Sequence, residues 1–444
     1  MMLIKLNMMN IKRILNSKHG QSIFTQLGGS VIALISFMIL ARVFSKETFG
    51  EWALYLTIIT FVDMVKSGMV QSAFIKYASG SSEADREAFL GTSWLLNLGL
   101  IVCISVINFF LFQTGFFEMK AVVYFLWLYP AYALVSMPFN YYMWNNQMLL
   151  DFKRVAMGRG VNLTLFLFVA ISSIWFSFEL FELLLLHLLS FLVSSIWAIR
   201  TGKTGIRNLF SAKKSVFKKY LNFGKFHSLA FLGSNLLKSS DTFLITAFLG
   251  PLYVAIYSIP LRLIELIEMP LKGAVSVAYP VFSAADNKGD YYGLKISLEK
   301  YIGVLTILYL PFMALLYLLS DELVLLVGGD KYAEAGNIFR IFVIYGLFLP
   351  FDRLTGIVLD AMGHPRLNFY KVLIMAGVNI IGDVIVLHYF QSLELVAVVT
   401  ITNVLAGMLV GFYISYKRLN ISLKSIFTSG FNAIYHTGIK LLST

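Results

Sequence analysis

Residues 88–113 read AFLGTSWLLNLGLIVCISVINFFLFQ, a run without a single charged side chain. A helix needs roughly 20 apolar residues to cross the hydrocarbon core of a bilayer, and this run is long enough. Hydrocarbon offers no water to backbone N–H and C=O groups, so a lone spanning segment must be helical. Eleven further apolar stretches flank it, at about 22–44, 49–77, 121–144, 155–177, 180–200, 224–249, 253–282, 296–319, 337–361, 367–390 and 395–416. The chain as a whole is 58% hydrophobic with a mean hydropathy of +0.76 and only 14% charged residues. An ordinary soluble domain carries about 25% charged residues, so this composition defines an all-α polytopic membrane protein.

An even number of spans puts both termini on one side. Lys5, Lys12, Arg13 and Lys18 lead into the first stretch, and Lys76, Arg86, Lys153, Arg154 and Arg159 fall on the same side. That side also carries the acid-free run Arg200–Lys225, and later Lys288, Lys295, Lys300, Arg366, Lys371, Lys417, Arg418, Lys424 and Lys440. Arg42, Lys46, Lys120, Lys331 and Arg340 fall opposite, an asymmetry of about fivefold that makes both ends cytoplasmic. The net charge of +12 is spread over short loops, which excludes a nucleic-acid-binding module. The one cysteine, Cys103, lies inside an apolar run and excludes a disulfide framework or a cysteine metal cluster. No cleavable signal peptide is expected at the N-terminus.

The organisation predicted is an N-terminal six-helix lobe at 1–200, a basic cytoplasmic linker at 201–223, a C-terminal six-helix lobe at 224–418 and a cytoplasmic tail at 419–444. The two halves echo one another. Gly28-Gly29-Ser30 matches Gly233-Ser234-Asn235, and Trp52 matches Tyr257, at one constant offset. An even number of spans separates the copies, so the repeat is parallel. Two such bundles flanking a central cavity describe a secondary transporter.

The segment Leu40-Ala41-Arg42-Val43-Phe44-Ser45-Lys46-Glu47-Thr48-Phe49-Gly50-Glu51-Trp52-Ala53-Leu54 resembles the first-loop motif of the Wzx-like polysaccharide-unit flippases of the multidrug/oligosaccharidyl-lipid/polysaccharide (MOP) exporter superfamily. Asp63–Tyr77 and Leu236–Ser258 are similar to the second helix and the start of the second half of that family, with Ala255 where a glycine is common. The resemblance implies a bacterial inner-membrane transporter that flips polyprenyl-pyrophosphate-linked oligosaccharides by alternating access, for O-antigen, capsule or exopolysaccharide assembly. It implies a lipid-linked oligosaccharide, membrane lipids and a coupling H+ or Na+ as partners, with the polymerase and glycosyltransferases of the pathway nearby. A cation-coupled drug exporter on the same fold and a membrane-embedded sugar polymerase or glycosyltransferase are the alternatives. No Walker, HExxH or GxSxG sequence occurs, so neither an enzyme nor a cofactor is expected.

Charges inside the spans are the candidate site. One at a helix centre costs about 2.5–3.5 kcal/mol on insertion scales and persists where it meets water or a partner. The cations Lys66, Lys238, Arg262, Lys272 and Arg353 are the expected cavity groups for pyrophosphate and sugars. Asp63, Asp241, Glu265, Glu268, Asp360 and Asp383 would balance them or hold the coupling ion. Arg42 at the outer mouth and Arg159 at the inner one are candidate phosphate contacts; a snorkelling role explains Arg42 more simply, and a topological role explains Arg159 equally simply. His187, alone in an apolar span, reads as a packing residue.

Overall fold

The computed structural model describes the backbone of residues 18–442 and the side chains of these residues except 18–27, 65, 224–238 and 437–442. Lys5, Lys12 and Arg13 lie outside the described residues, as do the side chains of Lys18, Lys225, Lys238 and Lys440. The described chain is almost wholly helical. Its long helices are α1 (Lys18–Val43), α2 (Lys46–Ala78), α3 (Glu83–Gln113), α4 (Lys120–Met148), α5 (Phe152–Ser172) and α6 (Leu180–Arg200). They continue with α7 (Lys214–Leu249), α8 (Pro251–Asn287), α9 (Tyr291–Leu318), α10 (Ala335–Ala361), α11 (Pro365–Tyr389), α12 (Leu393–Leu419) and α13 (Leu423–Leu442).

Among the described residues nine helices are long and apolar enough to cross a membrane: α2 to α6 and α9 to α12. Those nine make the chain a multi-pass membrane protein. α8 is not among them. Arg262, Glu265, Glu268 and Lys272 interrupt its apolar sequence. It nevertheless runs unbroken from Pro251 to Asn287 through Pro260, Pro270 and Pro280.

Local chemistry fixes several boundaries. Ser45 caps α2, its hydroxyl accepting from the Thr48 N–H at 3.1 Å. Glu51 is 7% exposed, and its carboxylate accepts from the Ala121 N–H at 2.6 Å. That places a negative charge at the amino end of α4, where orphan N–H groups and the helix dipole favour it. The Phe49-Gly50-Glu51-Trp52 motif therefore ties two helices together, and Phe49 and Trp52 pack against Phe37 and Phe166.

The chain divides into two compact units, Met1–Ser239 and Ser240–Thr444, with the division inside α7. In the first, Trp94 and Tyr141 stack at 4.2 Å in the buried core of α3 and α4. The basic stretch after α6 is anchored to that core. The Trp94 indole donates to Thr204 O at 3.1 Å, the Lys213 N–H to Thr92 at 3.0 Å, and the Tyr220 hydroxyl to Phe89 O at 3.0 Å. His187 packs among aromatic rings, 4.9 Å from Phe166 and 5.2 Å from Phe191.

In the second unit Phe282, Leu294, Leu298, Ile302, Leu354 and Val358 form the apolar core, closed by Ile421 and Ile426. The stretch after 418 contributes to this core through α13. Buried Glu299 accepts the Ser422 N–H at 3.0 Å, and Ser422 in turn caps α13. The approach of α13 to α9 is backbone to backbone. A Cβ on Gly430 would lie 2.7 Å from Gly303 Cα, so only glycine fits there.

Candidate functional site

Among the described residues the candidate charges gather in one group of the first unit and two of the second. In the first, Asp63 and Lys66 stand one turn apart on α2 and form an ion pair of 2.6 Å. Lys66 is 5% exposed, and its ammonium also sits 5.4 Å from the centre of the Tyr129 ring. Tyr132 donates to Asp63 at 3.5 Å. The next turn of α2, Ser67–Gln71, is a π-helical turn. Such turns carry one residue too many for the α-helical ladder and recur at functional sites. Beside it lies a cavity of about 70 Å³ lined by Asp63, Lys66, Ser67, Asn97, Asn140 and Trp144.

In the second unit a chain of charges runs from α8 through α10 to α11. Arg262 pairs with Glu265 at 3.1 Å. Glu268 pairs with Lys272 at 3.4 Å and with Arg353 at 3.6 Å, and it accepts from Tyr345 at 3.3 Å. Arg353 reaches Asp352 at 3.9 Å. Asp352 in turn holds Lys371 at 2.7 Å, with both side chains under 5% exposed. Lys371 also donates to the Asp352 carbonyl at 2.5 Å.

Glycines make room for this pair. A Cβ on Gly407 would lie 2.7 Å from Asp352 Oδ1, one on Gly356 would lie 3.2 Å from Lys371 Nζ, and one on Gly411 would run into Thr355 Oγ1. Three cations (Lys272, Arg353, Lys371) thus share two acids (Glu268, Asp352), and Asp360 is a third acid within electrostatic reach of Lys371.

The third group is acidic. Asn379 on α11 donates to Asp241 at 2.7 Å and to Asp383 at 2.9 Å, and it accepts from Asn403 on α12 at 2.7 Å. Tyr257 on α8 donates to Asp241 at 2.8 Å. Asp241 is 7% and Asp383 0% exposed, and the two carboxyl groups lie within hydrogen-bonding reach of each other. Two carboxylates thus meet around amides and a phenol. No Lys or Arg ion pair with either is recorded among the described residues.

The candidate cations therefore do not stand alone. Lys66, Arg262, Lys272 and Arg353 each face an acid. Asp360 accepts from Asn368 at 2.8 Å, while Arg353, seven residues earlier, turns to Glu268 and Asp352. Arg42 ends α1, exposed. Arg159 is exposed on α5, its stem beside Gly29 of α1. The side chain of Lys238 lies outside the described residues.

Sequence reasoning passed over Asp352, although it sits inside the predicted tenth span next to Arg353. It counted Lys371 among the topological lysines, although that residue lies inside the predicted eleventh span and is 2% exposed. Among the described residues no group of three or more His, Cys, Asp or Glu gathers as a metal site.

This fold is that of the MOP superfamily of membrane transporters. A multidrug resistance MATE family transporter of that superfamily, in an inward-facing conformation, superposes with a TM-score of 0.70 at 18% identity, covering 88% of this chain and 94% of the other. The lipid II flippase MurJ, in an inward closed conformation, superposes with a TM-score of 0.67 at 16% identity over 95% and 92% of the two chains. At such identities the likeness establishes the fold alone.

The chain belongs to the polysaccharide biosynthesis protein family, whose sequence profile matches residues 39–337. The teichuronic acid biosynthesis protein TuaB of Bacillus subtilis is 24% identical over 52% of this chain and 48% of its own length. A membrane protein of Methanocaldococcus jannaschii, MJ1068, is 22% identical over 41% and 37%. The matches thus span about half the length of these relatives or less.

Proposed function

We propose that this protein moves polyprenyl-pyrophosphate-linked oligosaccharide units across the cytoplasmic membrane for surface polysaccharide assembly, by alternating access. One observation supports the reading above the others: a family of polysaccharide biosynthesis has here the fold of a transporter, with charged side chains paired inside its helices. The chain of charges on α8, α10 and α11 brings Lys272 and Arg353 onto one acid, Glu268, and such paired cations suit a pyrophosphate. The phosphate oxygens would compete with Glu268 for Lys272 and Arg353, of which Lys272 is the more exposed. The fixed charges replace water around the head group and lower the barrier to its crossing, while the polyprenyl tail stays in lipid.

Asp241 and Asp383 are the groups for the coupling ion, a proton or Na+, because two buried carboxyl groups held by amides and a phenol gain from a cation. Both termini are cytoplasmic on the distribution of Lys and Arg, and the saccharide is supplied by glycosyltransferases and consumed by a polymerase. The function is tested in a flippase-null strain. Lipid-linked repeat units accumulate there, and this chain is expected to relieve the accumulation.

A second reading is a cation-coupled exporter of small amphipathic cations. The acidic group around Asp383 favours it, and the cations of α8, α10 and α11 weigh against it. Efflux of a cationic dye by a strain that retains its lipid-linked intermediates would select this reading.

A further inference from the structure

Arg159 stands apart from the paired cations. Lys66, Arg262, Lys272 and Arg353 each face an acid. Arg159 lies about two turns inside α5, and its side chain is exposed. Among the described residues its guanidinium makes no ion pair or hydrogen bond, and no carboxylate acts on it. The nearby Arg154, by contrast, is held by Asp151 at 3.2 Å. A charge within a spanning helix persists where it meets water or a partner.

Its direction separates it from a lipid-facing arginine. The large exposed apolar residues of α5, Met157 at 50% and Phe168 at 65%, mark the side that meets lipid. Arg159 sits on the other side, about 160–180° from both at ~100° per residue. It shares that side with Leu163 and Phe166. Phe166 stacks on buried Trp52 of α2 at 6.2 Å, in the interior of the first unit. The stem of Arg159 is seated against α1: a Cβ on Gly29 would lie 3.1 Å from Arg159 Cδ and 3.2 Å from Leu163 Cδ1. A topological arginine needs only the right end of a helix, not a seated stem and an open, unpaired head.

We propose that Arg159 is the first unit's docking point for the pyrophosphate of the lipid-linked saccharide, held at the seam between α1 and α5. The assignment rests on the transport proposed above and adds a contact to Lys272 and Arg353, which belong to the second unit. A guanidinium offers five N–H donors in a flat fork that takes two phosphate oxygens at once. Because this one is turned from the lipid side of α5, its phosphate is that of the substrate head and not of a bulk phospholipid. The start of the chain is no partner for it, since residues 1–17 carry Lys5, Lys12 and Arg13 and no acid.

The test uses native mass spectra of the full chain in mild detergent, with a polyprenyl-pyrophosphate disaccharide as the probe and phosphatidylglycerol as the comparison lipid. The wild type is expected to retain the probe. Arg159→Gln should retain it about tenfold more weakly, as loss of a charge-assisted contact does, while phosphatidylglycerol retention changes less than about twofold. Arg159→Lys keeps the charge and the topology and should recover part of the loss, because an ammonium is a point charge without the fork. The thermal midpoint should hold in both variants, since the guanidinium has no partner within the described protein to lose.

Probe retention as tight in Arg159→Gln as in the wild type, or no retention by either, would overturn the assignment. So would an equal loss of phosphatidylglycerol, which would make the site one for bulk phospholipid. Binding lost in both variants together with a lowered thermal midpoint would make the arginine structural and overturn it as well. The null strain separates the two claims. If the wild type relieves the accumulation and Arg159→Gln binds the probe as well as the wild type, the docking point is wrong and transport stands. If the wild type does not relieve it, the transport reading falls and the binding arm alone decides the docking point.

Discussion

Replacing Lys371 with Met removes one half of a pair whose side chains are 3% and 4% exposed. The Asp352 carboxylate would remain buried, with Arg353 at 3.9 Å as its nearest described cation. Breaking one side of such a pair costs about 3–5 kcal/mol. The contact to Arg353 offsets part of that, so Lys371→Met is expected near the lower end, about 3 kcal/mol. The Asp352 carbonyl keeps a partner, since Thr355 also donates to it at 3.2 Å.

Asp352→Leu should destabilise comparably, because it strands the ammonium. The double variant Asp352→Leu/Lys371→Met removes both charges and keeps the branched shape of Asp352, with methyl groups in place of its oxygens. It should fall within about 1 kcal/mol of wild type or exceed it, as apolar replacements of buried pairs often do. The assay is a double-mutant cycle on unfolding of purified protein in mild detergent, with an expected coupling above about 2 kcal/mol. A Lys371→Met variant as stable as wild type, or a double variant showing the sum of the two single losses, would refute the reasoning.

Gly303→Ala forces a methyl group against the Ile426 carbonyl and Gly430 Cα, and should cost about 1–3 kcal/mol by overpacking α9 against α13. Gly377→Ala, where nothing lies within 4 Å, should be neutral or stabilise by up to about 1 kcal/mol in the same thermal assay. Asp383→Asn removes one of two adjoining buried carboxyl groups, so unfolding stability should not fall while the dependence of transport on a Na+ or H+ gradient disappears. Lys214, Lys218 and Lys219 are exposed at the start of α7. Exchanging all three for Gln should reduce phosphatidylglycerol retention in native mass spectra by about 1 kcal/mol per lysine, without unfolding the protein.

The helices were legible in the sequence because lipid demands long apolar runs, and each run reads alone. The sixth is the clearest case: residues 180–200 are predicted and Leu180–Arg200 is observed. Partnerships between helices were less legible. The Asp63–Lys66 and Arg262–Glu265 pairs could be read because the residues share one helix and one turn. Asp241 with Asp383, and Asp352 with Lys371, join residues far apart in the chain, and nothing local in the sequence specifies those contacts.

The same limit explains why Asp352 was passed over and Lys371 was counted with the topological lysines. Lys371 sits near the start of its helix, where an arginine or lysine ordinarily marks topology, and only the slot left by Gly356, Gly407 and Gly411 makes it a buried partner. Arg353 and Asp360 lie nearly in line along α10, yet Glu268 of the neighbouring helix is the better partner for the arginine. The π-helical turn at Ser67–Gln71 had no signal in the apolar pattern, since one extra residue in a turn leaves composition unchanged.

The most direct measurement is translocation itself. Purified protein is placed in liposomes with a fluorescent polyprenyl-pyrophosphate disaccharide, and the fraction of saccharide accessible to an impermeant glycosidase is followed over time. Exchange faster than in protein-free liposomes, slowed in Asp383→Asn, is the expected outcome. Exchange no faster than in protein-free liposomes, from a preparation that transports a small cationic drug, would contradict the assignment of lipid-linked saccharides as the cargo.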